Sequence, residues 1–205
     1  MYSRLKRLVS GKEYTVLTSN ADNLFLQSGF DEDRICTRQG SYARFQCLRP
    51  CSPTSYFPVD DWVARAIPHL DLKDPRVPAA LADELIPACQ NCGGEVFLNV
   101  RGGDWFLDTP HEAAEERYAE AVERMVESAR EKGGIVLVLE LGAGFNTPTV
   151  IRLPTERLAR FPEVRVVRVN PNAPEFEDEL GRKVAAGLRM SADEFLREVL
   201  ETIEV

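Results

Sequence analysis

Four of the five cysteines fall into two close pairs, Cys47-Leu48-Arg49-Pro50-Cys51 and Cys89-Gln90-Asn91-Cys92, and the second pair runs straight into Gly93-Gly94. No other feature restricts the fold of this chain so tightly. Two chelating pairs turn four thiolates toward one point, the ligand set of a closed tetrahedral zinc site. Glycines after a ligand cysteine suit a knuckle, in which a backbone without Cβ crowding folds back and its N–H groups hydrogen-bond the sulfur. The alternative is four buried or disulfide-bonded cysteines. Against it, the amino terminus has no secretory-signal pattern, and unlinked core cysteines rarely pair so closely. Residues 52–88 separate the pairs, too long a span for one short ribbon, so the metal is expected to staple an insertion within a larger domain. Four sulfurs leave no open coordination position. The site is structural, and the chemistry must lie elsewhere.

A chain of 205 residues with 44% hydrophobic and 28% charged residues suits one soluble domain, or a main domain with a small satellite. No apolar run approaches the roughly 20 residues that span a bilayer. The formal charge of −8 falls to about −10 when four thiolates and a divalent zinc are counted, which argues against nucleic acid or an anionic membrane as the main partner. Free thiols without a signal segment imply a reducing, cytoplasmic setting. The fifth cysteine, Cys36, lies between Ile35 and Thr37 and reads as a packed strand residue, not a nucleophile.

The rest of the chain reads as strands separated by crossovers, with the metal module as an interruption. Tyr14 to Thr18 is a β-branched run that stops at Ser19-Asn20-Ala21-Asp22, where polar residues suit a helix start near Asn23. Arg34 to Thr37 reads as a second short strand. Between about Tyr42 and Phe97 the chain is rich in Pro and Cys with little periodicity. Glu95 to Val100 alternates and then breaks at Arg101-Gly102-Gly103-Asp104. Thr109-Pro110-His111-Glu112 is a capping box opening a helix whose apolar face runs Ala114, Tyr118, Ala121, Val122, Met125 and Ala129, until Gly133-Gly134 stops it. Ile135 to Leu141 is almost wholly apolar, as in a parallel sheet covered on both faces. Val164 to Val169 is another strand, and Ser191 caps a final helix through Leu200. The expected fold is α/β, a Rossmann-like doubly wound parallel sheet over residues 1–42 and 98–205, with an inserted zinc-binding module at 43–97.

Ligands of such sheets gather at the carboxyl ends of strands. The candidates there are Ser19, Asn20 and Asp22 after the first strand, Gly142-Ala143-Gly144-Phe145-Asn146-Thr147 after the apolar strand, and Asn170 after Val169. The Gly142-x-Gly144 turn suits phosphate approach, yet Thr147 stands where the full dinucleotide fingerprint has its third glycine, so a plain tight turn explains the pair as well. Asn170 alone also suits a simple cap. His111, in the first turn of a helix, and His69, after a proline, read as surface residues and not as bases. Paired carboxylates such as Asp60-Asp61 and Glu115-Glu116 read as solvated faces, and no Ser-His-Asp or Cys-His arrangement is present in the sequence.

In order along the chain, Thr18-Ser19-Asn20-Ala21-Asp22, Gln39-Gly40-Ser41-Tyr42-Ala43-Arg44-Phe45-Gln46-Cys47, the two cysteine pairs, Leu139-Glu140-Leu141-Gly142-Ala143-Gly144-Phe145-Asn146-Thr147-Pro148 and Val169-Asn170 together resemble a sirtuin. The resemblance is narrower to the macrodomain-linked class M sirtuins of microbes, which have glutamine where ordinary sirtuins carry a catalytic histidine; here that residue is Gln39. It implies that Asn20 and Gln39 line the catalytic pocket around the nicotinamide ribose of NAD and that Ser19 and Asp22 lie on the cofactor side, with Asp22 facing the nicotinamide amide. It also implies that Gly142, Asn146 and Asn170 hold the adenosine half, with Gly144 and Thr147 also among the cofactor-binding residues. The metal ligands implied are Cys47, Cys51, Cys89 and Cys92. Sirtuins begin with a strand and a glycine-rich phosphate loop, and only thirteen residues precede Tyr14 here, so the first βα unit with its pyrophosphate-binding amides is expected to be missing.

The histidine of a deacylating sirtuin accepts a ribose proton, and general-base help of that kind contributes about 10² to 10⁴ in rate. A glutamine amide cannot accept that proton near neutral pH, though it can still position the ribose. Transfer of ADP-ribose is therefore expected to persist and deacetylation to be lost. The resemblance implies a lipoyl-carrier, glycine-cleavage-H-like protein as acceptor and a macrodomain hydrolase as functional partner. Arg101, Asp104 and Trp105 are candidates for substrate contact, with core packing the plainer reading of Trp105. The competing reading is a catalytically silent, zinc-stapled partial domain that binds a partner chain, or a gene fragment.

Overall fold

The computed structural model describes residues 1–70, 83–176 and 185–203; residues 71–82 of the expected metal module lie outside them, as do 177–184 and 204–205. In chain order the elements are α1 (Tyr2–Val9), β1 (Val16–Thr18), α2 (Leu24–Gln27), β2 (Ile35–Thr37), β3 (Gly40–Cys47), β4 (Tyr56–Pro58), α3 (Asp60–Ala66), β5 (Val96–Val100), α4 (Thr109–Lys132), β6 (Val136–Leu141), α5 (Arg152–Leu158), β7 (Val164–Val169), β8 (Ala185–Leu188) and α6 (Ala192–Ile203). Two compact units share the chain. The first holds Met1–Ser19, Leu24–Arg38 and Ala114–Val205; the second holds Asn20–Asn23 and Gln39–Ala113.

The first unit is mixed α/β with parallel strands. β1 pairs with β2, Val16 opposite Ile35 and Thr18 opposite Thr37, while β6, β7 and β8 form a second parallel sheet in that order. Among the described residues no backbone ladder joins β1 to β6, so the parallel strands make two sheets where one was expected. The apolar stripe of α4 packs Val122 and Val126 against Val136 and Val138 of β6 and Val164 and Val166 of β7. Gly133 ends α4 in the left-handed region at φ 67°, and the Gly134 N–H returns to the Ala129 carbonyl at 2.8 Å.

One cluster in this unit is ionic. Arg168 of β7 is fully buried, its Nε and Nη2 donate to Glu140 of β6 at 2.5 and 3.0 Å, Nη2 also meets Glu156 at 2.9 Å, and Nη1 donates to the Glu175 carbonyl at 2.8 Å. The guanidinium lies over Phe176 at 4.0 Å.

The second unit is an antiparallel sheet in the order β4-β3-β5. Phe45 stands opposite both Phe57 and Leu98, and these pack with Val59, Trp62, Val63 and Val96 around Cys47 and Cys89. An eight-residue β3 is not what the weak periodicity of this stretch suggests. Two of its residues, Ser41 and Gln46, are polar yet buried, so the alternation that marks a half-buried strand is hidden. Gly40 sits at φ 93°, where a Cβ would come within 2.0 Å of the Asn99 carbonyl oxygen, so only glycine lets β3 approach β5 there. Among the described residues no helix is long and apolar enough to cross a membrane.

Candidate metal centre and active site

Cys47 closes β3, with its N–H on the Ser55 carbonyl at 2.9 Å and its position opposite Val96. Cys89 enters a tight turn in which its N–H donates to Gly94 O and Gly93 N–H donates to Cys89 O, both at 2.8 Å. Gly93 takes the left-handed conformation, φ 72°, that this turn needs. The four sulfurs of Cys47, Cys51, Cys89 and Cys92 all lie within 4.8 Å of one another, with Cys47–Cys92 and Cys51–Cys89 each at 3.8 Å. Zinc–sulfur bonds of about 2.3 Å place tetrahedral corners about 3.8 Å apart, so the group fits a metal of that size and softness. Burial raises the Cys89 thiol, but the backbone N–H groups of Cys92 and Asn91, with the Cys92 and Cys47 side chains, outweigh it and bring it down to about 7. Those amides are the knuckle donors expected of a thiolate ligand. Cys36 is not one of the four; it is buried in β2, and burial followed by the Glu115 charge pushes its thiol up to about 11, which makes it a poor nucleophile.

Three segments distant in sequence meet at the Gly40 end of β3. Tyr42 N–H donates to the Ala21 carbonyl at 2.8 Å and Ser41 Oγ donates to Asn23 Oδ1 at 3.0 Å, which ties Asn20–Asn23 to β3. On the other side Gly40 stands opposite Val100, and Arg101 N–H donates to the Gln39 carbonyl at 3.1 Å. Asn20 is exposed, and Asp22 and Gln39 are half-buried. Arg101 forms an ion pair with Asp108 and lies over the Phe106 ring at 4.3 Å. The structure thus brings Asn20, Asp22, Gln39 and Arg101 into one region of the second unit.

The remaining strand-end candidates lie in the first unit. Gly142 follows β6 at φ 69° with its N–H on the Val169 carbonyl at 2.9 Å, and a Cβ on Gly144 would meet nothing within 4 Å. Asn146 and Thr147 are exposed, and Ser19 is half-buried at the end of β1. Asn170 is buried. Its Nδ2 donates to Ala143 O at 2.9 Å, and its Oδ1 accepts from the N–H groups of Asn172 and Ala173 at 2.9 and 3.0 Å. Arg152, also buried, donates to the carbonyls of Ala143, Ala173 and Glu175. These two side chains shape the loops after β6 and β7 by holding the half-buried Ala143, leaving Gly142 and Gly144–Thr147 exposed to solvent.

One expectation is corrected. His111 is not a surface residue but 6% exposed, while His69 is exposed. Its place in the first helical turn suggested solvent, yet Nε2 meets Asn99 Oδ1 at 2.6 Å and the ring stacks on Phe106 at 5.7 Å. Burial, then the Arg44 charge, lowers its pKa to about 4, so the imidazole is neutral. Asn99 and Gln46, both fully buried, complete a network that sequence reasoning missed. The available signal was Asn99 inside the strand Val96–Val100, whose other residues are Val, Phe and Leu.

The chain is 38% identical over 156 residues to a probable bifunctional ADP-ribose hydrolase/ADP-ribosyltransferase of Fusarium oxysporum f. sp. cubense, a stretch covering 76% of this chain and 25% of that protein. It is 30% identical over 161 residues to a protein ADP-ribosyltransferase of Staphylococcus aureus (strain Mu50 / ATCC 700699), covering 78% of this chain and 47% of that protein. The chain therefore spans about a quarter of one relative and under half of the other, and no family model matches it.

Proposed function

We propose that the chain is part of an NAD-dependent protein ADP-ribosyltransferase of the class M sirtuin kind, with little or no deacetylase activity. The observation that carries this reading is the meeting of Asn20–Asp22, Gln39 and Arg101 at one end of β3, supported by the similarity to two proteins named as ADP-ribosyltransferases. NAD, when bound, supplies an activated ADP-ribosyl group with nicotinamide as leaving group. Gln39 and Asn20 orient the ribose by amide hydrogen bonds, and Asp22 serves the nicotinamide amide. Arg101 joins the two segments through its backbone N–H on the Gln39 carbonyl, with its guanidinium paired to Asp108 and lying over Phe106. The open glycine turn at Gly142 and Gly144, with exposed Asn146 and Thr147, suits close approach of the adenosine half, and Asn170 holds that loop in shape. The zinc held by Cys47, Cys51, Cys89 and Cys92 is structural. Gln39 takes no proton from the ribose, which removes the deacylation route. The acceptor we propose is a lipoyl-carrier protein, with a macrodomain hydrolase reversing the mark in a reducing, cytoplasmic compartment.

The test is transfer of labelled ADP-ribose from NAD to a lipoylated glycine-cleavage-H-like protein. Transfer is expected, with Gln39→Ala and Asn20→Ala each removing most of the activity while zinc content and circular dichroism stay unchanged. NAD-dependent deacetylation of an acetyl-lysine peptide at a rate matching transfer would overturn the reading. So would full transfer by Gln39→Ala.

A further inference from the structure

We propose that His111, Asn99 and Gln46 are positioning residues that fix the Arg101–Asp108 loop beside Gln39, an inference that rests on the transferase reading above. All three side chains are buried, and each is satisfied by another of the three or by the backbone of that loop. Gln46 Nε2 donates to Trp105 O at 2.7 Å, and Gln46 Oε1 accepts from Leu107 N–H at 3.0 Å and from Asn99 Nδ2 at 2.8 Å. Asn99 Nδ2 donates again to Leu107 O at 3.0 Å, and Asn99 Oδ1 faces His111 Nε2 at 2.6 Å.

The bonding leaves no freedom in how these groups are oriented. Both hydrogens of the Asn99 amide are directed at oxygens, so its Oδ1 is the acceptor and His111 Nε2 carries the proton. The His111 backbone N–H caps the same loop through Asp108 O at 2.8 Å. The imidazole stacks on Phe106 with ring planes 13° apart, and Arg101 lies over Phe106 at 4.3 Å. A continuous path of contacts therefore runs from Gln46 in the middle of the sheet to the Arg101 guanidinium. An apolar trio of similar volume would fill this space without desolvating three polar groups. What the polar trio adds is a unique loop conformation, since any slip of residues 105–107 breaks several buried hydrogen bonds at once.

The substitutions that test this are His111→Phe, which keeps a ring on Phe106 but loses the donor, and His111→Gln, which restores a donor. On the full chain, His111→Phe is expected to speed hydrogen exchange of the Leu107 amide at least about tenfold, with His111→Gln close to wild type. In the transfer assay His111→Phe is expected to lower kcat by roughly 10- to 100-fold, the scale of a misplaced catalytic group, while KM for NAD stays within about twofold. Unchanged exchange at Leu107 in His111→Phe overturns the proposal whether or not transfer is seen. Wild-type kcat alongside faster exchange also overturns it, as does equal kcat loss in both variants that tracks their melting temperatures. Should His111→Phe fail to fold, Asn99→Asp keeps the acceptor for His111 and removes the donors to Leu107 and Gln46, and the same loss of kcat is expected. If wild type shows no transfer in any form, the function above fails, and the exchange measurement still decides the positioning role.

Discussion

Replacing Arg168 by methionine is the sharpest test of how the first unit is held together. The side chains of Arg168 and Glu140 are both inaccessible to solvent, and two of the guanidinium's donors close on the two oxygens of that one carboxylate at 2.5 and 3.0 Å. Arg168→Met leaves Glu140 charged, buried and without that partner, a change that costs about 3–5 kcal/mol. Glu156 is 20% exposed and rehydrates, so it adds little. Against a typical domain stability of about 5–15 kcal/mol the loss is large. The double variant Glu140→Leu with Arg168→Met removes both charges and restores apolar packing. It is expected to be more stable than Arg168→Met alone by at least about 2 kcal/mol, because most of the penalty belongs to the orphaned charge. Urea unfolding followed by far-ultraviolet circular dichroism is the assay, since most of the helix belongs to this unit while both tryptophans, Trp62 and Trp105, lie in the other. A cost below about 1 kcal/mol for Arg168→Met, or a double variant no better than the single, would refute the reasoning.

Metal analysis should find one zinc per chain, partly or wholly lost in Cys89→Ser and retained in Cys36→Ser, because Cys36 lies outside the four-sulfur group. Gly40→Ala forces a Cβ to within 2.0 Å of a backbone oxygen at positive φ and should destabilise the second unit by more than about 2 kcal/mol; Gly144→Ala, which meets nothing within 4 Å, should cost less than about 0.5 kcal/mol, as read from denaturant midpoints. His111 has a folded pKa of about 4 against 6.5 unfolded, so its contribution is complete above about pH 6.5 and disappears as pH falls toward 4. Up to about 3 kcal/mol goes in that window, and the stability difference between wild type and His111→Gln, followed by tryptophan fluorescence, should track it.

The cysteine quartet and the strands Val136–Leu141 and Val164–Val169 were legible because their patterns are local: close ligand spacing in one case, short runs rich in Val and Leu in the other, although β6 is not covered on both faces as expected, since Leu137 is exposed. The helix stop at Gly133 was legible for the same reason. What the sequence concealed depends on partners far along the chain. Gln46 and Asn99 look like surface amides until β3 and β5 pair and turn them toward each other. His111 occupies a helix-start position that usually faces water, and only the return of the 101–108 loop over it makes it a buried donor. The division of the parallel strands into β1-β2 and β6-β7-β8 could not be read either, because strand periodicity says which residues face a core and not which edges join.

Strand β3 begins just after Gln39 and ends at Cys47 of the four-sulfur group, and the residue just before that cysteine is Gln46. The candidate metal centre and the proposed ribose-binding region therefore sit in series on a single strand roughly 23 Å long. A metal bound there would tie down the strand end at Cys47, and the nearest coupling to feel its loss would be the Gln46 amide, whose other end grips Trp105 and Leu107. Chelation would then lower activity in proportion to how far the strand end frays, without the zinc ever touching a reactant.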